Sequence, residues 1–156
     1  MSSEMTVSER VGWAIQRYQA AVNDFDREVA RLLHVSELEL RCLEIVLQSD
    51  EGTSPRELAD QLGITTGSMT TMTDRLSARG YLSRTPHPSD GRKILVRATE
   101  LLSTRAYTLI GPLLADGREN LLPQFTESEL AAVERFMRAA AESQRQHAEA
   151  LRSVVW

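Results

Sequence analysis

SPRELADQLGITTGSMTTMTDRLSARGYLSRTPHPSDGRKILVRAT, residues Ser54 to Thr99, divides into a helix, a tight turn, a second helix and a short hairpin with a basic tip. Ser54 is the N-cap of the first helix, with Glu57 at the capping-box spacing and Pro55 at the first helical position. Leu58, Ala59 and Leu62 share one face. Gly63 ends this helix with a left-handed residue. Thr65 or Thr66 caps the next helix, which the spacing carries to about Arg79, with Met69, Met72 and Leu76 inward and Gly80 as its stop.

Two helices joined by about three residues that include a glycine form a helix-turn-helix. Ala59 is small where the second helix crosses, and Ile64 and Met69 fill the angle between the helices. Thr66, Ser68, Thr70, Thr71, Thr73, Asp74, Arg75 and Arg79 are left facing outward. Short hydroxyls and an arginine let a helix approach a duplex closely and bond phosphates and base edges.

After Gly80 the period becomes alternating. Residues 81–85 form one strand and 93–97 its return, with Pro86 to Ser89 irregular and Asp90-Gly91 a turn. Arg92 stands at or beside the tip, where it can enter a narrow minor groove. This is a winged helix. Between Thr65 and Arg97 lie six basic residues (Arg75, Arg79, Arg84, Arg92, Lys93, Arg97) and two acidic ones (Asp74, Asp90), a local +4 in a chain of net charge −4. A basic face on an acidic protein is the footprint of a polyanion partner. The candidate DNA-facing set is Thr65, Thr66, Ser68, Thr70, Thr71, Arg75, Arg84, Asp90, Arg92 and Lys93.

Leu58-Ala59, Leu62-Gly63-Ile64, Gly67-Ser68-Met69-Thr70, Asp74-Arg75-Leu76, Arg79-Gly80-Tyr81-Leu82, Arg84 and Asp90-Gly91-Arg92 together resemble the MarR family of bacterial transcription regulators. The resemblance covers the central third residue by residue. It departs at Ala98, where the family usually has Leu, and at Leu101-Leu102, where a Lys-Gly pair is common. It implies a wing arginine in the minor groove, here Arg92, and a wing aspartate paired with an arginine of the recognition-helix region, here Asp90 with Arg75. It also implies repression relieved by a small anionic, often aromatic, effector bound between the dimer helices and the reading head. Arg17, His34 and Tyr107 are the candidates near that junction.

Outside the centre, residues 8–33 carry Val11, Ile15, Tyr18, Val22, Phe25, Val29 and Leu32 at alternating spacings of 4 and 3, a heptad-like seam on one long helix, with Ser8 a candidate N-cap. Ser36, with Glu39 in capping-box position, opens a second helix whose stripe is Leu40, Leu43, Val46 and Leu47. Cys42 lies in it as a small buried hydrophobe. The alternative for Cys42 is a peroxide-sensing thiol, as in one branch of the resembled family. Glu100 to Gln124 is helical by pattern, with a kink expected at Pro112. Thr126 and Glu129 cap a last helix with a seam of Leu130, Val133, Met137, Ala140, Gln144, His147, Leu151 and Val154.

Long seams at both ends, flanking a reading centre, point to a two-fold homodimer whose heads lie about one turn of DNA apart, roughly 34–36 Å, on a pseudo-palindrome. The expected architecture is mainly α with a small β-hairpin wing: a winged helix-turn-helix over 36–99, and dimerisation helices over 1–35 and 100–156. No apolar run approaches the roughly 20 residues of a membrane span and the first ten residues are polar, so the chain is expected in the cytoplasm. His34, His87 and His147 fall on separate elements. There is no zinc spacing, phosphate loop or nucleophile elbow, so neither a cofactor nor an enzyme is indicated. Besides the DNA-binding regulator, a winged-helix module that docks an acidic protein partner and a Cys42-based redox regulator remain as alternatives.

Overall fold

A computed structural model describes residues 5–154; the side chains of Gly91 and Arg92 lie outside the described residues. The elements are α1 (Val7–Leu33), α2 (Glu37–Leu47), α3 (Pro55–Leu62), α4 (Thr66–Ala78), β1 (Leu82–His87), β2 (Asp90–Ala98), α5 (Glu100–Asp116) and α6 (Glu127–Arg152). Between α5 and α6 lie a π turn, Gly117–Leu121, and a short 3-10 turn, Leu122–Gln124. The architecture is the mainly helical winged helix that the sequence implied, with one antiparallel hairpin.

The helix starts follow local chemistry. Thr6, Ser36, Ser54 and Thr126 each accept the backbone N–H three residues on, and a glutamate at that position reaches back to the cap N–H. Each box satisfies two donors that the first turn leaves without partners. For α1 the cap is Thr6 rather than Ser8, because Glu9 is the side chain that closes the box. His34 ends α1 in the left-handed region (φ 55), and its N–H bonds the Ala30 and Arg31 carbonyls. Gly63 ends α3 in the same region (φ 67), where a side chain would be strained.

Two compact units divide the chain, one ending at Leu109 and the other starting at Ile110. The first holds the core. Leu43 and Val46 of α2, Leu58 of α3, Met69 and Leu76 of α4, Val96 of β2 and Leu102 of α5 are fully buried. The C-terminal turns of α1 join them through Val29, Ala30 and Leu33, so that end of α1 is structural core. Leu102, one of the two departures from the resembled pattern, fills space beneath the wing, while Leu101 stays exposed. In the second unit, the α6 seam residues Val133, Met137, Leu151 and Val154 are exposed, as is Phe136.

Two expectations need correction. The strands are longer than the alternating pattern suggested. Pro86 pairs with Ile94 and His87 with Asp90, so Asp90-Gly91 belongs to β2 and the turn is Pro88-Ser89. A two-stranded hairpin has only edge strands, where a proline costs no shared ladder bond. The register slips at Pro86/His87, leaving Gly91 to Lys93 in a bulge. Second, the helix read over Glu100 to Gln124 is α-helical only to Asp116, running through Pro112, and gives way to a π turn at Gly117. Gly117 carries the backbone-entropy cost of a glycine and has no side chain to pack, and the α-helical bonding pattern gives way there.

Candidate nucleic-acid interface

The exposed face of α4 is built from hydroxyls. Thr65 caps the helix, accepting the Ser68 N–H at 3.2 Å, and its Oγ1 lies 2.9 Å from the Ser68 hydroxyl. Thr66, Ser68, Thr70 and Thr71 are exposed. The Thr70 and Thr71 hydroxyls donate to the Thr66 and Gly67 carbonyls at 3.0 and 3.2 Å. Their protons are thus committed within the helix, and what they offer outward is oxygen lone pairs and methyl groups.

Thr73, expected outward, is fully buried. It lies four residues after Met69 and next to Met72, so the buried stripe is two residues wide there. Its hydroxyl bonds the Met69 and Thr70 carbonyls, both at 3.0 Å, and accepts Nη2 of Arg84 at 2.6 Å. The same Arg84 nitrogen stands 2.6 Å from Asp74 Oδ1. Arg84 therefore clamps β1 onto α4. Arg97 is likewise tied down, to the Thr85 hydroxyl and to the Asp50 carbonyl. Thr53 bridges Val96 in both directions, so the loop before α3 is pinned to the wing by one isolated bridge.

The remaining cations of the segment face solvent. Arg75, Arg79 and Lys93 are exposed. Lys93 Nζ lies 3.7 Å from Asp90 Oδ2. Arg75 pairs with Glu39 of α2, its Nε 3.1 Å from Oε1, where the resemblance had pointed to Asp90. Arg92 is in β2 by backbone, and its proposed groove contact falls outside the described side chains.

A second feature lies behind the reading face. Tyr81, buried at the end of α4, donates its hydroxyl to the Leu33 carbonyl at 3.0 Å and accepts Nη1 of Arg105 at 2.5 Å. The Arg105 guanidinium also lies 5.5 Å from the Tyr81 ring centre. Thr99 closes the other side: its hydroxyl donates to the Gly80 carbonyl at 2.6 Å and accepts the Leu102 N–H. Beside this junction, Leu32, Leu33, His34, Thr104, Arg105, Thr108 and Leu109 line an open groove of about 350 Å³.

Residues 35–94 match the MarR family. An HTH-type transcriptional regulator of Bacillus subtilis, YcgE, is 27% identical over 82% of each chain. The multiple antibiotic resistance protein MarR of Escherichia coli is 32% identical over 52% of this chain and 56% of its own. The central segment of the chain, residues 35–94, is thus similar to the MarR family. Two solved structures with the MarR fold are CouR of Rhodococcus jostii bound to p-coumaroyl-CoA and Sco3205 of Streptomyces coelicolor in complex with DNA. CouR has a TM-score of 0.62 and 20% identity, over 88% of this chain and 96% of that one. Sco3205 has a TM-score of 0.55 and 20% identity, over 92% and 91%.

The structure places the candidate residues unevenly. Thr65, Thr66, Ser68, Thr70, Thr71 and Arg75 stand together on α4, and Lys93 and Asp90 on the wing, while Arg84 serves the α4–β1 joint. Of the three effector candidates, His34 lines the groove. Arg17 is exposed on α1, and Tyr107 is 81% exposed on α5 and does not line the groove. Arg105 was missed. The signal was present in its spacing, since 105 and 109 share a helical stripe with Leu102. Cys42 is fully buried, and burial first, then the charge of Glu39, pushes its thiol up to about 11. That withholds the accessible thiolate that peroxide chemistry needs. No helix among the described residues is long and apolar enough to cross a membrane.

Proposed function

We propose that this MarR-family regulator is a homodimeric repressor that reads a pseudo-palindromic operator through α4 and the wing. The observation that carries the reading is the exposed face of α4, rich in hydroxyls and bearing Arg75 and Arg79, together with exposed Lys93 on the wing, on a chain of net charge −4. The hydroxyls approach base edges. Arg92 and Lys93 meet phosphate and the minor groove. The apolar seam left exposed on α6 and the exposed Val11, Tyr18 and Val22 of α1 support a two-fold partner. Arg92→Ala should weaken binding to every sequence and lower the salt slope by about 1 per head, while substitutions at Thr70 or Thr71 should change sequence preference. The opposite pattern would mean that these elements face the wrong parts of the duplex.

Repression is relieved, in this proposal, by an anionic aromatic effector in the groove at His34 and Arg105. The p-coumaroyl-CoA bound to CouR supports that ligand class. A carboxylate on Arg105 competes for the guanidinium that holds Tyr81, and Tyr81 adjoins both the end of α4 and the start of the wing. An effector acts only through its preference for one arrangement, on a usual scale of about 1–3 kcal/mol. A panel of aromatic carboxylates that releases DNA from the wild type should fail on Arg105→Ala. Equal release from both would place the effector elsewhere.

A further inference from the structure

The recognition helix is tied to α2 by one long-range ion pair, and the geometry points to Glu39 as a positioning residue for Arg75 in DNA reading. The inference rests on the DNA-reading proposal above. Glu39 was visible in the sequence only as the capping-box residue of α2. In the fold its two carboxylate oxygens serve different elements. Oε2 accepts the Ser36 N–H at 2.9 Å and closes the box. Oε1 reaches Nε of Arg75 at 3.1 Å. The carboxylate is 9% exposed, and the Arg75 side chain is 60% exposed. A carboxylate so placed has lost most of its water, so both oxygens need firm partners.

The consequence falls on Arg75. An exposed arginine on a helix samples many rotamers, and ordering it on binding costs free energy. Holding the guanidinium by Nε fixes its direction and leaves both terminal nitrogens outward, in the fork that matches a guanine edge or a phosphate. Arg75 shares a stripe with Ser68 and Thr71, at spacings of 3 and 4, so the fork is delivered on the reading face. Glu39 thus orders a DNA contact that it does not itself make.

The direction of the effect distinguishes this from simple charge. Glu39→Gln removes one negative charge, which by electrostatics alone tightens binding to any duplex. It also keeps the capping box, since glutamine closes one as glutamate does. If Glu39 positions Arg75, Glu39→Gln instead weakens the specific site.

The test uses a palindromic duplex selected by the full-length wild type from a random-sequence pool, with a scrambled duplex beside it. Fluorescence anisotropy should show Glu39→Gln losing about tenfold on the selected site while the scrambled duplex is held as well or better. The loss should vanish in an Arg75→Ala background. Arg75→Lys, which keeps the charge but has no Nε donor or planar fork, should show the same loss of preference and be insensitive to Glu39→Gln. Equal tightening on both duplexes, no change on the selected site, or an equal loss in the Arg75→Ala background would overturn the inference. A wild type that selects no site would overturn the DNA-reading proposal itself.

Discussion

Asp74, Thr73, Arg84, Glu39 and Arg75 show how residues with the same side chains take different work. Arg84 and Arg75 are both arginines of the basic segment, yet Arg84 is spent on holding β1 to α4 and Arg75 points its fork outward. The sequence listed both as DNA-facing because charge alone does not reveal a partner eleven or thirty-six positions away. Thr73 was misplaced for a related reason: a stripe drawn through Met69, Met72 and Leu76 leaves it one position outside, and only the packing of β1 against α4 covers it. Cys42 makes the sharpest residue-scale prediction. Its thiol is fully buried and raised to about 11 by burial and by Glu39, so at neutral pH it stays protonated. A folded-state value above the ordinary one means that its contribution to stability is full below the ordinary thiol range and is lost as pH rises toward 11. Folded protein should resist alkylation by iodoacetamide at pH 7.5, and peroxide should leave DNA binding of wild type and Cys42→Ser equally unchanged. Rapid alkylation of native protein, or peroxide-dependent release confined to the wild type, would restore the redox reading.

At the scale of elements, helix starts were the most legible feature. Three capping boxes were read in the sequence and the structure closes all three, because the cap is a local bond between residues three apart; the fourth, Thr6 with Glu9, opens α1 where Ser8 was expected. What the sequence misjudged was set by partners distant in the chain. The wing runs longer than its alternating core because Pro86 and His87 pair at an edge, and Thr53 adds an isolated bridge to Val96. Gly52, with φ 87, makes that approach possible: a Cβ there would stand 2.8 Å from Cγ of Arg97. The α3 box supplies a pH prediction. The Ser54 backbone N–H, then its hydroxyl, hold Glu57 below the usual carboxylate range. A lowered folded value means that this stabilisation is present above the ordinary carboxylate pKa and is lost as pH falls through the folded one. Amides in the first turn of α3 should therefore exchange faster, relative to the rest of the core, as pH drops below about 4.5. Ser54→Ala should destabilise the protein by about 1 kcal/mol at pH 7 and weaken that dependence, while Glu57→Gln, which has no titrating carboxyl, should remove it. Unchanged relative exchange across the range would show the box to be idle.

For the whole molecule, the distribution of charge and apolar surface matters more than its total. A chain of net charge −4 gathers its cations on one stretch and leaves an apolar seam open on α6. The first property supports the proposed polyanion partner, and the second supports the proposed second copy. Both were visible in the sequence as local +4 and as spacings of 3 and 4. The groove at His34 was only partly visible, because it forms where the end of α1 meets the middle of α5, and no local pattern brings His34 to Arg105. The central claim, that two copies read one site through α4 and the wing, is tested most directly by anisotropy titration of the selected palindromic duplex against a scrambled one, from 50 to 200 mM salt. The account predicts two chains per site, a preference for the selected duplex of at least about 10³, and a log–log salt slope between about −4 and −8. One chain per site, equal affinity for both duplexes, or a slope near zero would contradict it.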